Sequence, residues 1–231
     1  MEIIKTRHGY INLLVNNAGV ALNLLPKLPT PKDGDIKSYQ QALWNAGSSS
    51  DFSKTFEVNT TAIWYTTVAF LELLDAGNKR GNAKGMTSQV ISVTSGGGFR
   101  KDEKVYSMSY TLSKAAATHL GKMLAHFLKD WNIRSNVIAP GVFPSSKPSW
   151  IARYCCLASR TKESDLVMTE GLITDAGMKA AVPLGRAGNM DDMGGLVLFL
   201  ASKVGSQSET EIAFTHFIAS RPAHMSTEPS T

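Results

Sequence analysis

A tyrosine and a lysine lie four residues apart in the middle of the chain, at Tyr110 and Lys114. On a helix, two residues with this spacing project from the same face, so both side chains can reach one ligand. We expect that face to point away from the apolar stripe of the helix. An ammonium group beside a phenol favours the ionised phenol, which allows a tyrosine to act as a general acid or base near neutral pH. The pair therefore predicts proton-transfer chemistry.

A serine is expected to join this pair from a neighbouring strand. Ser95 follows the β-branched run 89–94 and precedes three glycines. The run predicts a strand, which places Ser95 at its carboxyl end, where ligands bind in open α/β sheets. A hydroxyl at that place is able to hold a carbonyl oxygen beside the phenol of Tyr110. We therefore expect Ser95, Tyr110 and Lys114 to converge on one substrate oxygen.

These residues require a frame of alternating strands and helices. Apolar runs predict strands over 11–15, 89–94 and 133–139, and a 3.6-residue period predicts helices over 52–76, 109–131 and 191–201. The strand over 11–15 is apolar on both faces, which is typical of a parallel sheet. The alternation predicts a doubly wound α/β fold with right-handed crossovers.

The sequence also gives expectations for the helix ends and for one helix face. Ser50 or Asp51 is expected to cap the helix over 52–76, Gly77 to end it, and Asn189 to cap the last helix. The core face of the helix over 109–131 is expected to carry Leu112, Ala116, Leu120, Leu124 and Phe127.

The composition indicates one soluble α/β domain. The chain has 231 residues, of which 43% are hydrophobic and 19% charged, and its net charge is +5. These values exclude a disordered tail, and no apolar run is long enough to cross a membrane. The basic excess mildly favours anionic ligands. Cys155 and Cys156 are adjacent, so no disulfide framework is expected, and a cytoplasmic location fits.

Other chemistries find little support in the sequence. No GxSxG or HExxH motif occurs, so we expect neither a hydrolase nucleophile nor a metal site. Lys79, Arg80 and Lys84 form a basic patch without interleaved aromatic residues, which argues against nucleic-acid binding. We therefore expect a small-molecule substrate, with no nucleic-acid or membrane partner.

Several short motifs, by their order and spacing, resemble the short-chain dehydrogenase/reductase family. They are Leu14-Val15-Asn16-Asn17-Ala18-Gly19, Val58-Asn59-Thr60, Ser95, Tyr110 with Lys114, Pro140-Gly141, the run 182–188 and Asp191-Asp192-Met193. The resemblance implies a Rossmann-like doubly wound parallel sheet and an oxidoreductase that transfers hydride between NAD(P)(H) and a carbonyl or secondary alcohol. It implies NADP or NAD as cofactor, with NADP slightly favoured, and a homo-oligomer.

The resemblance also implies a role for each matching residue. Tyr110 is the acid or base, Ser95 orients the substrate oxygen, and Lys114 supports the tyrosine and holds the ribose of the nicotinamide. The backbone of Asn59 holds a water of the proton relay. Further cofactor contacts are implied for Asn17, Ala18, Gly19, Pro140, Gly141, Phe143 and Ser145.

Both ends of the chain depart from the family pattern. The glycine-rich turn TGxxxGxG, which cradles the cofactor pyrophosphate, does not occur in this sequence. We expect a truncated sheet whose first three strands are missing, which turns the strand over 11–15 into an exposed apolar edge. The segment 204–231 diverges from the family, and Ile212, Phe214 and Ile218 are expected to form a replacement strand. A reading frame altered at both ends by splicing or annotation would account for both departures.

The expected organisation is a single domain over 1–231, with residues 147–188 forming a substrate lid. The lid is rich in large apolar side chains, which favours a hydrophobic or aromatic substrate. The run 137–145 resembles that of 3-oxoacyl-carrier-protein reductases of the family, which implies a fatty-acyl or polyketide-like substrate. Two other functions stay open. The chain is either a family member without cofactor that acts as a dimerisation partner through the helices 52–76 and 109–131, or a non-redox isomerase or lyase that uses Tyr110 and Lys114.

Overall fold

A parallel four-stranded sheet forms the centre of the computed structural model. The structure describes residues 1–81, 85–102, 105–141, 143, 184, 186, 188–207 and 212–215. The strands are β1 (Leu13–Asn16), β2 (Gln89–Val93), β3 (Arg134–Pro140) and β4 (Ile212–Thr215), and they lie in that order. All neighbouring pairs are parallel, with Ile91 opposite both Val15 and Asn136. The prediction of a parallel α/β sheet is confirmed. Strand β4 contains Ile212 and Phe214 of the strand expected near the carboxyl end, whereas Ile218 lies outside the described residues.

Helices cover both faces of the sheet. They are α1 (Glu2–Arg7), α2 (Ile36–Trp44), α3 (Ser49–Phe56), α4 (Ala62–Arg80), α5 (Met108–Leu128) and α6 (Met190–Ala201), with shorter helical turns at Glu57–Thr61, Gly96–Phe99, Lys129–Trp131 and Val204–Gln207. On one face, Leu74 of α4 and Leu124 of α5 pack with Val90. On the other face, Leu200 of α6 packs with Ile91. Burying each such side chain contributes about 1.5–3 kcal/mol, so α4, α5 and α6 are held firmly on the sheet.

The helix predicted over 52–76 begins and ends elsewhere. Its amino end is capped by Ser48, whose hydroxyl accepts a hydrogen bond from the Asp51 backbone N–H at 3.0 Å. The helical path continues through the π-helical turn Glu57–Thr61 to Gly81, whose φ of +66° suits glycine. Gly77 therefore does not end the helix. It lies inside α4, where a Cβ would collide with the Ile11 carbonyl oxygen.

The buried face of α5 differs from the predicted apolar stripe. Leu124 is 1% exposed as expected, but Leu112 and Phe127 are 46% and 56% exposed. The buried positions carry small or polar residues such as Gly121, because α5 runs so close to β3 that a Cβ at Gly121 would collide with Val137. The remaining predicted stripe residues, Ala116 and Leu120, are partly buried.

The sequence did not predict α2, and it predicted an exposed edge at β1. Helix α2 starts at a capping box, in which Asp35 and Ser38 each accept a hydrogen bond from the other's backbone N–H. In the sheet as described, β1 pairs on one side only, and Val15 is 41% exposed. No helix within the described ranges is both long and apolar enough to span a bilayer. The expected cap of α6 at Asn189 is confirmed.

Candidate active site

The carboxyl ends of β1, β2 and β3 meet close to the first turns of α5. A Cβ placed on Gly19, after β1, would lie 3.1 Å from the Nζ of Lys114. A Cβ placed on Gly96, after β2, would lie 3.3 Å from the carbonyl oxygen of Pro140, at the end of β3. Because parallel strands align their carboxyl ends, residues distant in the chain gather at this edge, as predicted.

Ser95 is the residue that leaves β2 and begins the helical turn Gly96–Phe99. Its Oγ accepts a hydrogen bond of 3.0 Å from the backbone N–H of Gly97. This bond uses one lone pair of the hydroxyl and fixes its direction, while its own hydrogen remains able to donate to a ligand oxygen. The side chain is thus arranged as a donor at the end of the strand.

Tyr110 lies in the first turn of α5 and faces Ser95. The hydroxyl of Ser107 caps this turn by accepting from the Tyr110 backbone N–H at 3.2 Å. A Cβ placed on Gly97 would lie 3.2 Å from the Oγ of Ser95 and 3.6 Å from Cε1 of Tyr110. The two side chains therefore flank the same small space. They can contact one small molecule, as the sequence predicts.

Lys114 lies on the buried face of α5, which corrects the expectation that the pair points away from the core. Its side chain is 3% exposed, and its Nζ donates a hydrogen bond of 3.0 Å to the carbonyl oxygen of Val93 at the end of β2. The Nζ lies 5.9 Å from the ring centroid of Tyr110. Burial lowers the pKa of Lys114 from 10.5 to about 8. Its remaining N–H groups can serve a ligand.

Asn59 is fully buried in the π-helical turn before α4. Its Oδ1 accepts from the backbone N–H of Val20 at 2.8 Å, and its Nδ2 donates to the Val20 carbonyl oxygen at 2.8 Å. The same Nδ2 donates to the Oγ of Ser113 at 2.9 Å. Asn59 therefore ties the loop after β1 to the helix that carries Tyr110 and Lys114.

Ser113 is a site residue that the sequence reasoning missed. Its hydroxyl donates to the Tyr110 carbonyl oxygen at 2.8 Å while accepting from Asn59. The backbone carbonyl oxygen of Ser113 accepts a hydrogen bond of 2.9 Å from Thr60. The only sequence signal was a small polar residue between Tyr110 and Lys114, and its partners lie far away in the chain.

Six of the seven further residues assigned to the cofactor lie in three places of the described structure. Asn17, Ala18 and Gly19 form an exposed loop beside Lys114, and Pro140 and Gly141 lie beside Gly96. Phe143 packs against Gly188, where an added Cβ would collide with its ring. Ser145 and most of the lid assigned to residues 147–188 lie outside the described residues.

Comparison with known proteins identifies the family. The family model "short chain dehydrogenase" matches residues 1–147. The chain belongs to the short-chain dehydrogenase/reductase family. It is 39% identical over 226 residues to the short-chain dehydrogenase/reductase VdtF of Byssochlamys spectabilis, covering 89% of this chain and 67% of the relative. It is 38% identical over 198 residues to the short-chain dehydrogenase/reductase PhomF of Diaporthe leptostromiformis, covering 86% of this chain and 61% of the relative. The chain thus spans about two thirds of the length of these family members.

A solved structure shows the same fold. The Pseudomonas aeruginosa RhlG/NADP active-site complex matches with a TM-score of 0.65 and 23% identity, covering 94% of this chain and 69% of that chain. The Rossmann-like fold expected from the sequence is therefore confirmed, and the family is one of oxidoreductases that generally use NAD(P).

The described residues fit the nicotinamide end of such a cofactor. Because Gly19 has no side chain, the loop after β1 approaches Lys114 closely: a Cβ there would lie 3.1 Å from its Nζ. A ribose hydroxyl is a suitable partner for the free N–H groups of a buried ammonium. The sequence offers no TGxxxGxG turn for the pyrophosphate, so the fit concerns this end alone.

Proposed function

We propose that this family member is an NAD(P)-dependent oxidoreductase that acts on a carbonyl compound or a secondary alcohol. The observation that carries the proposal is the space at Gly97, which the hydroxyl of Ser95 and the ring of Tyr110 flank. The ammonium of Lys114, held at the end of β2, lies 5.9 Å from the centroid of the same tyrosine ring. A proton donor, an oxygen-orienting hydroxyl and a buried cation are the groups that carbonyl reduction requires.

Each side chain has a separate task in this reaction. Ser95 donates a hydrogen bond to the substrate oxygen, since its Oγ already accepts from Gly97. Tyr110 gives its phenolic proton to that oxygen, and the positive charge of Lys114 stabilises the phenolate that remains. NAD(P)H, when bound, supplies the hydride. Lys114 also holds the ribose, while Asn59 keeps Tyr110 in place through Ser113.

NADP or NAD is the proposed cofactor, with NADP slightly favoured. The proposed substrate is hydrophobic, as the apolar composition of residues 147–188 suggests, and of an acyl or polyketide-like type, as the resemblance of the run 137–145 implies. The contacts implied for Asn17, Ala18, Gly19, Pro140, Gly141, Phe143 and Ser145 are part of this proposal.

The test is titration of the whole chain with NADH and NADPH, followed by ketone reduction. We expect cofactor binding, seen as a change in fluorescence or as heat, and turnover of hydrophobic ketones. Tyr110→Phe should lower kcat by about a hundredfold or more while cofactor binding is kept, because it removes only the transferable proton. The control is Tyr39→Phe on α2, whose side chain is 37% exposed and lines a surface pocket formed by residues of α2; this variant should leave kcat unchanged. No binding at millimolar cofactor would contradict the proposal.

A second candidate is a cofactor-free dimerisation partner, which also accounts for the expected homo-oligomer. Large apolar side chains are exposed along α4, α5 and the helical turn after α5, among them Tyr65 at 67%, Phe127 at 56% and Trp131 at 62%. Exposed patches of this kind mark interaction surfaces. Sedimentation of wild type and Phe127→Lys tests this function. A dimer that Phe127→Lys dissociates, in a chain that binds neither NADH nor NADPH, would favour the second candidate over the first.

A further inference from the structure

The three glycines after Ser95 have different surroundings. A Cβ on Gly96 would lie 3.3 Å from the carbonyl oxygen of Pro140, and a Cβ on Gly98 would lie 2.8 Å from the backbone nitrogen of Ala115. In both cases the missing side chain lets two backbone segments approach closely. Packing of the fold therefore explains Gly96 and Gly98.

Gly97 has no such structural reason. The three atoms nearest to an added Cβ belong to the side chains of Ser95 and Tyr110, at 3.2 to 4.0 Å. The missing side chain thus faces the two groups that would contact the reacting oxygen. At this position the glycine leaves space in the site rather than allowing backbone contact.

A second aromatic ring packs against Tyr110, whose own ring borders this space. The ring of Tyr106 packs against that of Tyr110, with centroids 5.4 Å apart and planes tilted by 34°. Tyr106 is nevertheless 46% exposed. Aromatic rings associate at centroid distances of this kind, and such contacts favour a flat aromatic partner over an aliphatic one of similar size.

We propose that Gly97 determines substrate specificity by leaving space for an aromatic group attached directly to the substrate carbonyl, and that Tyr106 provides the surface on which this group packs. The inference rests on the proposed function and narrows its substrate class to aryl ketones and the corresponding benzylic alcohols. Ser95 and Tyr110 act on the oxygen, while Gly97 and Tyr106 select what is bonded to the carbonyl carbon.

Gly97→Ala is the decisive variant. Its methyl group would touch the Tyr110 ring at an ordinary distance and press on Ser95 Oγ by a few tenths of an ångström. A small ketone can avoid the new methyl group, whereas an aryl ketone needs the space that it fills. We expect kcat/KM to fall about tenfold or more for the aryl ketone and less than about threefold for the small one, as for other one-carbon changes in binding pockets.

The experiment compares three ketones: butanone, acetophenone and cyclohexyl methyl ketone, which matches acetophenone in size but is not planar. Wild type, Gly97→Ala, Tyr106→Leu and the control Gly195→Ala are assayed with the cofactor that wild type uses. Gly195 lies exposed on α6, and nothing is within 4 Å of an added Cβ there. Saturation-transfer NMR measures acetophenone binding to each variant independently of turnover.

We expect wild type to prefer acetophenone and Gly97→Ala to lose this preference. Tyr106→Leu should lower the rate with acetophenone more than the rate with cyclohexyl methyl ketone. NMR should show weaker acetophenone binding to both site variants and unchanged binding to Gly195→Ala. An equal loss of kcat/KM for all three ketones in Gly97→Ala would overturn the inference, since the methyl group would then act only by displacing Ser95. Equal use of acetophenone and the cyclohexyl ketone by wild type would also overturn it. A wild-type protein that reduces no ketone would contradict the proposed function itself, and the inference with it.

Discussion

The side-chain amide of Asn59 donates a 2.9 Å hydrogen bond to the hydroxyl of Ser113, although the two residues are 54 positions apart in the chain. Both side chains are fully buried. Ser113 donates in turn to the backbone carbonyl oxygen of Tyr110, and Asn59 bonds both backbone groups of Val20. One buried polar network therefore sets the position of the tyrosine relative to the loop after β1.

Removal of the Ser113 hydroxyl should destabilise the protein. In Ser113→Ala, one N–H of Asn59 loses its partner in a site without solvent, which costs about 1–3 kcal/mol of unfolding free energy. Urea unfolding followed by circular dichroism measures the change. The control is Ser53→Ala on the exposed face of α3, which should change stability by less than about 0.5 kcal/mol. Equal stability of the two variants would show that the Asn59–Ser113 bond contributes little.

The burial of Lys114 should make stability depend on pH. Its pKa falls from 10.5 in the unfolded chain to about 8 in the folded protein, so between these values the unfolded state binds more protons. We therefore expect the free energy of unfolding of wild type, compared with that of Lys114→Met, to be highest above pH 10.5. This advantage is lost as the pH falls to about 8. The difference across this window is about 3 kcal/mol.

Urea unfolding of wild type and Lys114→Met at a series of pH values measures that difference. Lys54→Met is the matched control, because Lys54 is exposed and pairs with Glu57 on the surface. We expect the difference in unfolding free energy between wild type and Lys54→Met to stay nearly constant over the same pH range. A constant difference between wild type and Lys114→Met across the window would mean that the lysine is better solvated than its position indicates.

Two glycine-to-alanine changes within helices should have opposite effects. Alanine is favoured over glycine in a helix interior by about 1 kcal/mol. Gly195→Ala on α6 meets open space and should gain stability, whereas Gly77→Ala on α4 places a methyl group against the Ile11 carbonyl oxygen and should lose it. Thermal unfolding of both variants tests this. A stabilised Gly77→Ala would show that the segment before β1 can move away from α4 at little cost.

The exposed edge of β1 should promote self-association. Val15 is 41% exposed on a strand that has a neighbour on one side only among the described strands. A lysine on such an edge opposes pairing with another chain, so Val15→Lys should lower concentration-dependent association in sedimentation velocity. Val68→Lys is the matched comparison, since Val68 is 43% exposed but lies on α4. If Val68→Lys alone lowers association, the copies meet through the helices instead.

Much of the fold could be predicted because it depends on local patterns. Runs of β-branched and apolar residues marked β1, β2 and β3 to within two residues at each end, and Asn189 marked the start of α6. Helix α2 was missed because none of its residues is buried in the described structure: Ile36 is 81% exposed and Trp44 is 80% exposed. A helix that starts at a capping box but packs against little has a weaker sequence pattern than a helix that packs on a sheet.

The sequence by itself determined the alternation of strands and helices, the four-residue spacing of Tyr110 and Lys114, and the motif order that indicated the family. These features are fixed by neighbours along the chain, through helical and strand periodicity. Only the tertiary structure decided that Lys114 is buried, that Ser113 links Asn59 to Tyr110, and that Gly97 faces the site while Gly96 and Gly98 serve packing. Such relationships depend on which distant segments approach one another, and periodicity along the chain carries no information about that approach.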